Sequence, residues 1–328
     1  MTDDAATSSS RLGSIARAIA LVLGIAGVAY LIVETGPERV WATLVAGAWT
    51  LPFVMVFDAG YFVCEALAHR AVLGEGARAI PARVFVRATM LVYVVASLLP
   101  LGRAGGEVAR AATFAPFVGT GRATAVGTNV QIAAFVGNTF ISTLCFAACA
   151  SVLGLGHALT LLLAGNGLVT LFLAALTWTI VRRSAIGVAI AERWPSLAAR
   201  FSGLGEGLRA SPAEIGRAIG FACSARIVQI GMYTGLLVAV GLHPTLLATL
   251  LALGVHLVGA GLGDVVPNQV GVLEGAYRVF ADALSLGDDP ARAVSIALFA
   301  RVSQIGVATL CMSALTLGAR ALSEPRSS

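Results

Sequence analysis

Two short stretches of this sequence hold acidic and basic side chains beside residues that cannot continue a helix. The first runs Pro100-Leu101-Gly102-Arg103-Ala104-Gly105-Gly106-Glu107 and ends one helical turn later at Arg110. The second runs from Asp264 and Pro267 through Gly271 to Glu274 and Arg278. A helix opening near Gly105-Gly106 would present unpaired amide N–H groups and a positive dipole end, which suit an anion such as a phosphate. Arg103 and Arg110 would add guanidinium donors, the side chains that grip phosphate in bidentate fashion. Glu107 would hold a cation or a proton, or stabilise the helix start, or pair with Arg110. Glu274 and Arg278 stand one turn apart and can pair.

Arg226 and Arg301 lie about ten residues inside apolar runs, and Asp58 lies in another. An arginine at such depth is costly in a bilayer and faces the bundle interior with a partner. Glu107, Glu274 and Asp58 are the carboxylates available to pair with them. Glu65 follows Asp58 by seven residues on the same helix face. Catalysis finds little support: there is no Ser-His-Asp order, no Cys-x-x-Cys and no metal-ligand spacing among the four histidines. No enzymatic activity, cofactor or metal is expected. Lysine is absent, which excludes a P-loop, and the all-arginine usage suggests a high-GC bacterial genome.

The elements that must position these residues follow from composition. Hydrophobic residues make up 58% of the chain and charged residues 12%, about half the charged fraction of a soluble domain. No Asp, Glu, Lys or Arg stands between Arg122 and Arg182, room for two spans of roughly 20 residues each. Apolar segments fall near 14–33, 41–64, 84–100, 104–119, 124–151, 158–181, 218–240, 245–263, 268–286 and 292–318. The expected fold is an all-α polytopic membrane protein forming one transmembrane domain over 1–328, with a polar tail at 1–13 and no soluble domain at either end. The five cysteines all lie in apolar stretches and read as small hydrophobic residues.

Arginine placement orients the segments, because cytoplasmic loops carry the excess. The N-terminus, Arg70–Arg87, Arg182–Arg217 and the tail from Arg320 are arginine-rich. All fall on one side only if segments 84–119 and 245–287 each leave and return to the same face. That gives about six full spans plus two Pro/Gly-broken hairpins, with both termini cytoplasmic in a bacterial inner membrane. Proline and glycine at the tips disfavour helical backbone. Non-helical backbone at membrane depth needs protein or water around it. Pro100 to Glu107 and Pro267 to Glu274 are both seven residues. The helices that follow open with Arg122-Ala123 and Arg292-Ala293, and Gln131 and Arg301 come nine residues later. Repeats at 84–151 and 245–318, antiparallel in this topology, suggest an inverted repeat with a midplane binding site.

At Pro100…Gly106-Glu107…Arg110 and Gly271…Glu274 the sequence resembles a flippase-like membrane family. That family includes the transmembrane part of lysylphosphatidylglycerol synthases and hopanoid-associated membrane proteins, and the similarity covers about residues 80–320. The resemblance implies movement of a phospholipid or lipid-linked headgroup between leaflets, with Glu107, Arg110 and Glu274 as the residues that transfer most directly. Members often read P-x-R-x-G-E in the first motif, where this chain inserts Leu-Gly before Arg103 and a second glycine before Glu107. Synthase members carry a soluble aminoacyl-transfer domain after the membrane part, and that activity is not carried over.

The expected function is therefore lipid translocation through a polar cleft made by the two hairpin tips. Its substrate-binding set is Asp58, Arg103, Gly105, Gly106, Glu107, Arg110, Arg226, Asp264, Glu274, Arg278 and Arg301. A secondary transporter of a small solute, or a non-catalytic membrane partner of a lipid-modifying enzyme, uses the same features. A membrane lipid is the expected substrate; homodimerisation is compatible with the sequence, and nucleic acid is not an expected partner.

Overall fold

The computed structural model describes residues 22–99, 102–182, 210–263, 266 and 269–323. The tail at 1–13, Pro100, Asp264, Pro267 and Asn268 lie outside the described residues, as does the side chain of Arg103. The described part is all-helical: α1 (Val22–Thr35), α2 (Pro37–Gly47), α3 (Leu51–Leu73), α4 (Ala82–Leu98), α5 (Gly102–Val118), α6 (Thr120–Leu153), α7 (Ala158–Arg182), α8 (Pro212–Ala239), α9 (Leu246–Gly263), α10 (Val272–Val279) and α11 (Pro290–Ser323). Short 3-10 turns cover Ala48–Thr50, Gly74–Ala79 and Asp282–Leu284.

Among the described residues, five helical stretches are long and apolar enough to cross a membrane: Pro37–Ala79, Thr120–Leu153, Ala158–Val181, Pro212–Ala239 and Pro290–Leu317. Val22–Thr35 and Leu246–Leu262 are apolar but shorter. Large apolar side chains such as Trp49, Val56, Leu168, Phe172 and Leu310 are exposed on these helices. Water would not tolerate such a surface, but hydrocarbon does, because the helices satisfy their own backbone groups.

Local chemistry explains several starts. Proline stands in the first two positions of α2, α3 and α8, where its missing N–H costs nothing. Ser211 and Glu214 form a reciprocal capping box at α8: Glu214 N–H donates to Ser211 Oγ at 3.2 Å and Ser211 N–H donates to Glu214 Oε2 at 2.7 Å. The expected segment 41–64 is two helices, because the chain turns at Ala48–Thr50 and α3 then continues to Leu73. The expected arm 268–286 is the eight-residue α10 followed by a 3-10 turn, closed by Leu286 N–H donating to the Ala281 carbonyl at 2.8 Å.

Two layers of contact hold the bundle. The α3–α8 crossing puts Phe57 on Gly231 and Phe53 on Gly235, one turn apart on α8. Small residues at such positions let helices approach closely in a membrane, where dispersion replaces the hydrophobic drive. The main core joins α6, α7, α8, α9, α10 and α11 through Leu163, Tyr233, Leu236, Leu253, Tyr277, Ile296 and Phe299, with Cys145 and Cys149 among them. A second core joins the end of α3 to α5, α6 and the start of α8 through Leu73, Phe114, Ala133, Ile215 and Ala218.

The two broken segments pack in matching ways. Helices α4 and α5 lie against each other, as α9 and α10 do. Each first arm also packs on the long helix that follows the other pair: α4 on α11, and α9 on α6. Both long helices have 34 residues. Gly102 and Gly271 take φ of +52° and +83° at the two breaks, a conformation that glycine adopts without steric cost.

Candidate functional site

Glu107 projects from α5 between α3 and α6. Its Oε2 lies 3.2 Å from His69 Nε2, and its Oε1 lies 3.5 Å from Arg110 Nη2. His69 and Arg110 are buried, whereas about a third of the Glu107 side chain (35%) remains exposed. On the α6 side Gly127 faces the same carboxylate. Sequence reading gave the histidines no role, so His69 is a correction: it belongs to this cluster. The Asp58–Glu65 spacing, extended by one turn of α3, was the signal that could have found it.

Gly105 and Gly106 are a second correction. They stand inside α5, which begins at Gly102, so they do not form the amide-rich start expected of them. A Cβ on Gly106 would meet Val92 Cγ1 at 3.0 Å and the Val92 carbonyl at 3.2 Å. Gly106 therefore lets α5 pack against α4. Arg103 belongs to the first turn of α5.

The second cluster is closed. Glu274 is fully buried (0% exposed), and both its oxygens are engaged by Arg301: Nε donates to Oε1, and Nη2 donates to Oε2 at 3.3 Å. Oε2 also accepts from the Gly271 N–H at 2.9 Å, so this carboxylate caps α10. Arg301 Nη2 reaches the Gln269 carbonyl at 3.0 Å, and Gln269 Nε2 donates to the Ala260 carbonyl at 3.3 Å. One arginine thus ties α11 to the loop, to α9 and to the start of α10.

Arg278 does not pair with Glu274, as one-turn spacing suggested. It reaches Glu34 of α1 at 3.6 Å, both side chains about 40% exposed, because Glu274 turns inward to the cap and to Arg301. Such an exposed pair contributes about 0–1 kcal/mol. Helix α1 also lies on the loop itself, with Gly24 against Val270 and Gly271.

Arg226 is buried on α8. Its guanidinium stacks on the Tyr61 ring 5.3 Å from the centroid, and Nη1 donates to Gln229 Oε1 at 2.9 Å. Tyr61, Glu65, Ala68, Val130, Ala134, Ala222, Ala225 and Arg226 line a small recess between α3, α6 and α8. Tyr61 and Glu65, joined by a 3.0 Å hydrogen bond, are absent from the set read off the sequence. Asp58 is buried one turn away and accepts a hydrogen bond from Tyr93 Oη of α4. Tyr93→Phe should cost about 1–2 kcal/mol by leaving a buried carboxyl group without that donor. Thermal unfolding in detergent reads this, and Asp58→Leu/Tyr93→Phe should regain most of the loss.

The charged residues therefore form two centres: Glu107 and Arg110, joined by the unexpected His69, around α5, and Glu274 with Arg301 where α10 meets α11. Asp58 lies further along α3, and Arg226 of α8 stacks on Tyr61 of the same helix. A family model described as the lysylphosphatidylglycerol synthase TM region matches residues 17–311, reaching further toward the N-terminus than the 80–320 of the motif resemblance. No match was found among curated proteins or among solved structures. With nine-tenths of its length matched, the chain belongs to the family of the lysylphosphatidylglycerol synthase transmembrane region.

Proposed function

We propose that this protein moves a phospholipid or lipid-linked headgroup between membrane leaflets, with Glu107 as the residue that meets the headgroup. The carrying observation is the contrast between the two acidic centres. Glu274 is sealed from contact, while Glu107 is one-third exposed inside a bundle of apolar helices and flanked by buried Arg110 and His69. A lipid whose acyl chains stay in the bilayer would bring its ammonium group to Glu107, while buried Arg110 holds the other carboxylate oxygen in place. Family membership supports a lipid-related role. The exchanged packing of α4 on α11 and α9 on α6 supports two inverted hairpin repeats that rock against one another. In this reading Glu274–Arg301 keeps the second hairpin rigid, and the termini face the cytoplasm of a bacterial cell.

Purified protein in lipid vesicles tests it. Scrambling of headgroup-labelled phospholipid should be fast with the unaltered chain and fall about tenfold or more with Glu107→Gln, the factor for one lost charge-assisted contact. Unaltered scrambling in Glu107→Gln, with the protein folded, would sink the role given to this carboxylate.

A further inference from the structure

Helices α3 and α6 each pack closely on α8 and only lightly on each other. A groove therefore runs between α3 and α6, with α8 as its floor. Around the recess in this groove, Tyr61 and Glu65 stand on one wall, Ala134 on the other, and Arg226 on the floor with Ala222 and Ala225. The alanines leave space that longer side chains would fill, and the recess has room for about one water-sized group. Tyr61, Glu65 and Ala134 keep part of their surface exposed, so the recess is not sealed.

Its floor lies halfway along the helices that form it. Arg226 follows Pro212 by fourteen residues and precedes Ala239 by thirteen. Tyr61 stands ten residues after Leu51 and twelve before Leu73. At that depth an arginine is expensive and normally faces a partner of opposite charge. Arg226 is only 8% exposed, yet among the described residues no carboxylate lies within ion-pair distance of it. Asp58 accepts from Tyr93, and Glu65, on the wall of the same recess, accepts from Tyr61 at 3.0 Å. Arg226 donates from Nη1 to Gln229 Oε1 at 2.9 Å and stacks on the Tyr61 ring. A neutral amide and a ring fix the plane of the guanidinium but do not balance its charge.

The surroundings select the anion that does. Ile227 follows Arg226 on α8 and is 57% exposed, and Val63 of α3 is 55% exposed, so this level of the bundle faces acyl chains. A free ion would arrive there stripped of its water, at high cost. A phosphodiester on a lipid arrives attached to chains that prefer the same hydrocarbon. Arginine offers phosphate two parallel N–H bonds, and its weakly hydrated guanidinium suits a contact made away from water. A recess of this size takes one phosphate oxygen, while the glycerol and the chains stay outside it.

We propose that Arg226 holds the phosphate of the moving lipid halfway across the membrane, with one phosphate oxygen in the recess between α3, α6 and α8. The proposal rests on the lipid-translocation reading and gives the phosphate its site. Ala68 also lines the recess and directly precedes His69, so the phosphate site adjoins the Glu107 centre.

Native mass spectrometry of the full chain provides the test. The delipidated protein in detergent is offered equal amounts of phosphatidylethanolamine and a glucosyldiacylglycerol with the same acyl chains. The unaltered chain should hold the phospholipid in about tenfold preference, the factor for one charge-assisted contact. In Arg226→Gln that preference should vanish, with glucolipid binding unchanged. A preference that survives in the variant, or a loss of both lipids alike, overturns the proposal. Displacement of the phospholipid by excess inorganic phosphate would reveal a free-anion site and overturn the lipid assignment. Should the variant not fold, the unaltered chain decides alone, and equal retention of the two lipids overturns the site. Scrambling in vesicles keeps the two readings apart. Phospholipid held through Arg226 but never moved ends the translocation reading and leaves the site standing. Phospholipid moved by a chain that shows no preference ends the site and leaves translocation standing.

Discussion

Replacing Arg301 with methionine should destabilise the folded chain by about 3–5 kcal/mol, the cost of stranding a buried charge without its partner. Glu274 has no exposed surface and Arg301 only a fifth of its own, so water cannot take over the role of the guanidinium. The Gly271 N–H still reaches Oε2, but one amide does not balance a carboxylate. The loss of Arg301 also releases the Gln269 carbonyl, which loosens the loop between α9 and α10. Arg278→Met provides the comparison, since its pair with Glu34 is exposed and should cost about 0–1 kcal/mol. Thermal unfolding of both variants in one detergent separates the cases. A loss in Arg301→Met no greater than in Arg278→Met would show that the Glu274 pair is not desolvated. The double variant Glu274→Leu/Arg301→Met should regain much of the stability, because apolar side chains of similar volume often replace a buried pair without loss. It would not regain all of it, since the cap on α10 is gone and caps contribute about 0.5–2 kcal/mol.

What could be read in advance were the features that depend on one residue's own chemistry. A charge inside an apolar run is costly wherever it lies, so Arg226 and Arg301 announced a polar interior. Proline and glycine disfavour helical backbone, so interruptions near Pro100 and Pro267 could be read in advance. What could not be read depends on which helix faces which. His69 and Glu107 stand 38 residues apart, and no periodicity within α3 says that α5 will lie beside it. The same holds for Arg278, whose partner Glu34 comes from α1. Equal Pro-to-Glu spacing suggested equal tips, yet the two carboxylates differ. Glu274 is the third residue of α10 and caps it, while Glu107 is the sixth residue of α5 and projects from its flank. The difference arises in the turn: α10 waits until Gly271 supplies its positive φ, whereas Gly102 supplies it at once in α5. One tip is thereby closed by its own acid, and the other carries its acid on the helix flank, paired with His69 and Arg110 and about a third exposed.

Gly47→Ala should cost about 3 kcal/mol, at the upper end of what overpacking does to a well-packed interior. Its backbone sits at φ −90° and ψ −5°, which any residue can adopt, so conformational strain plays no part. The obstacle is space: an added Cβ would lie 2.2 Å from the Ala239 carbonyl oxygen and 2.6 Å from Phe299 Cζ. Phe299 can rotate, but the Ala239 carbonyl belongs to the last residue of α8 and cannot move without the helix. Relief would therefore separate the α2–α3 joint from α8 and α11, and with it the line of α3 that carries Asp58, Glu65 and His69. Gly165→Ala in α7 makes the same chemical change where nothing lies within 4 Å. There the higher helix propensity of alanine should raise stability by about 0.5–1 kcal/mol. Two glycine-to-alanine changes of opposite sign, read from unfolding midpoints in one detergent, would confirm that close approach sets the position of α3. Equal effects would mean that the joint tolerates displacement and that the position of α3 is set by its contacts with α8, α6 and α11 instead.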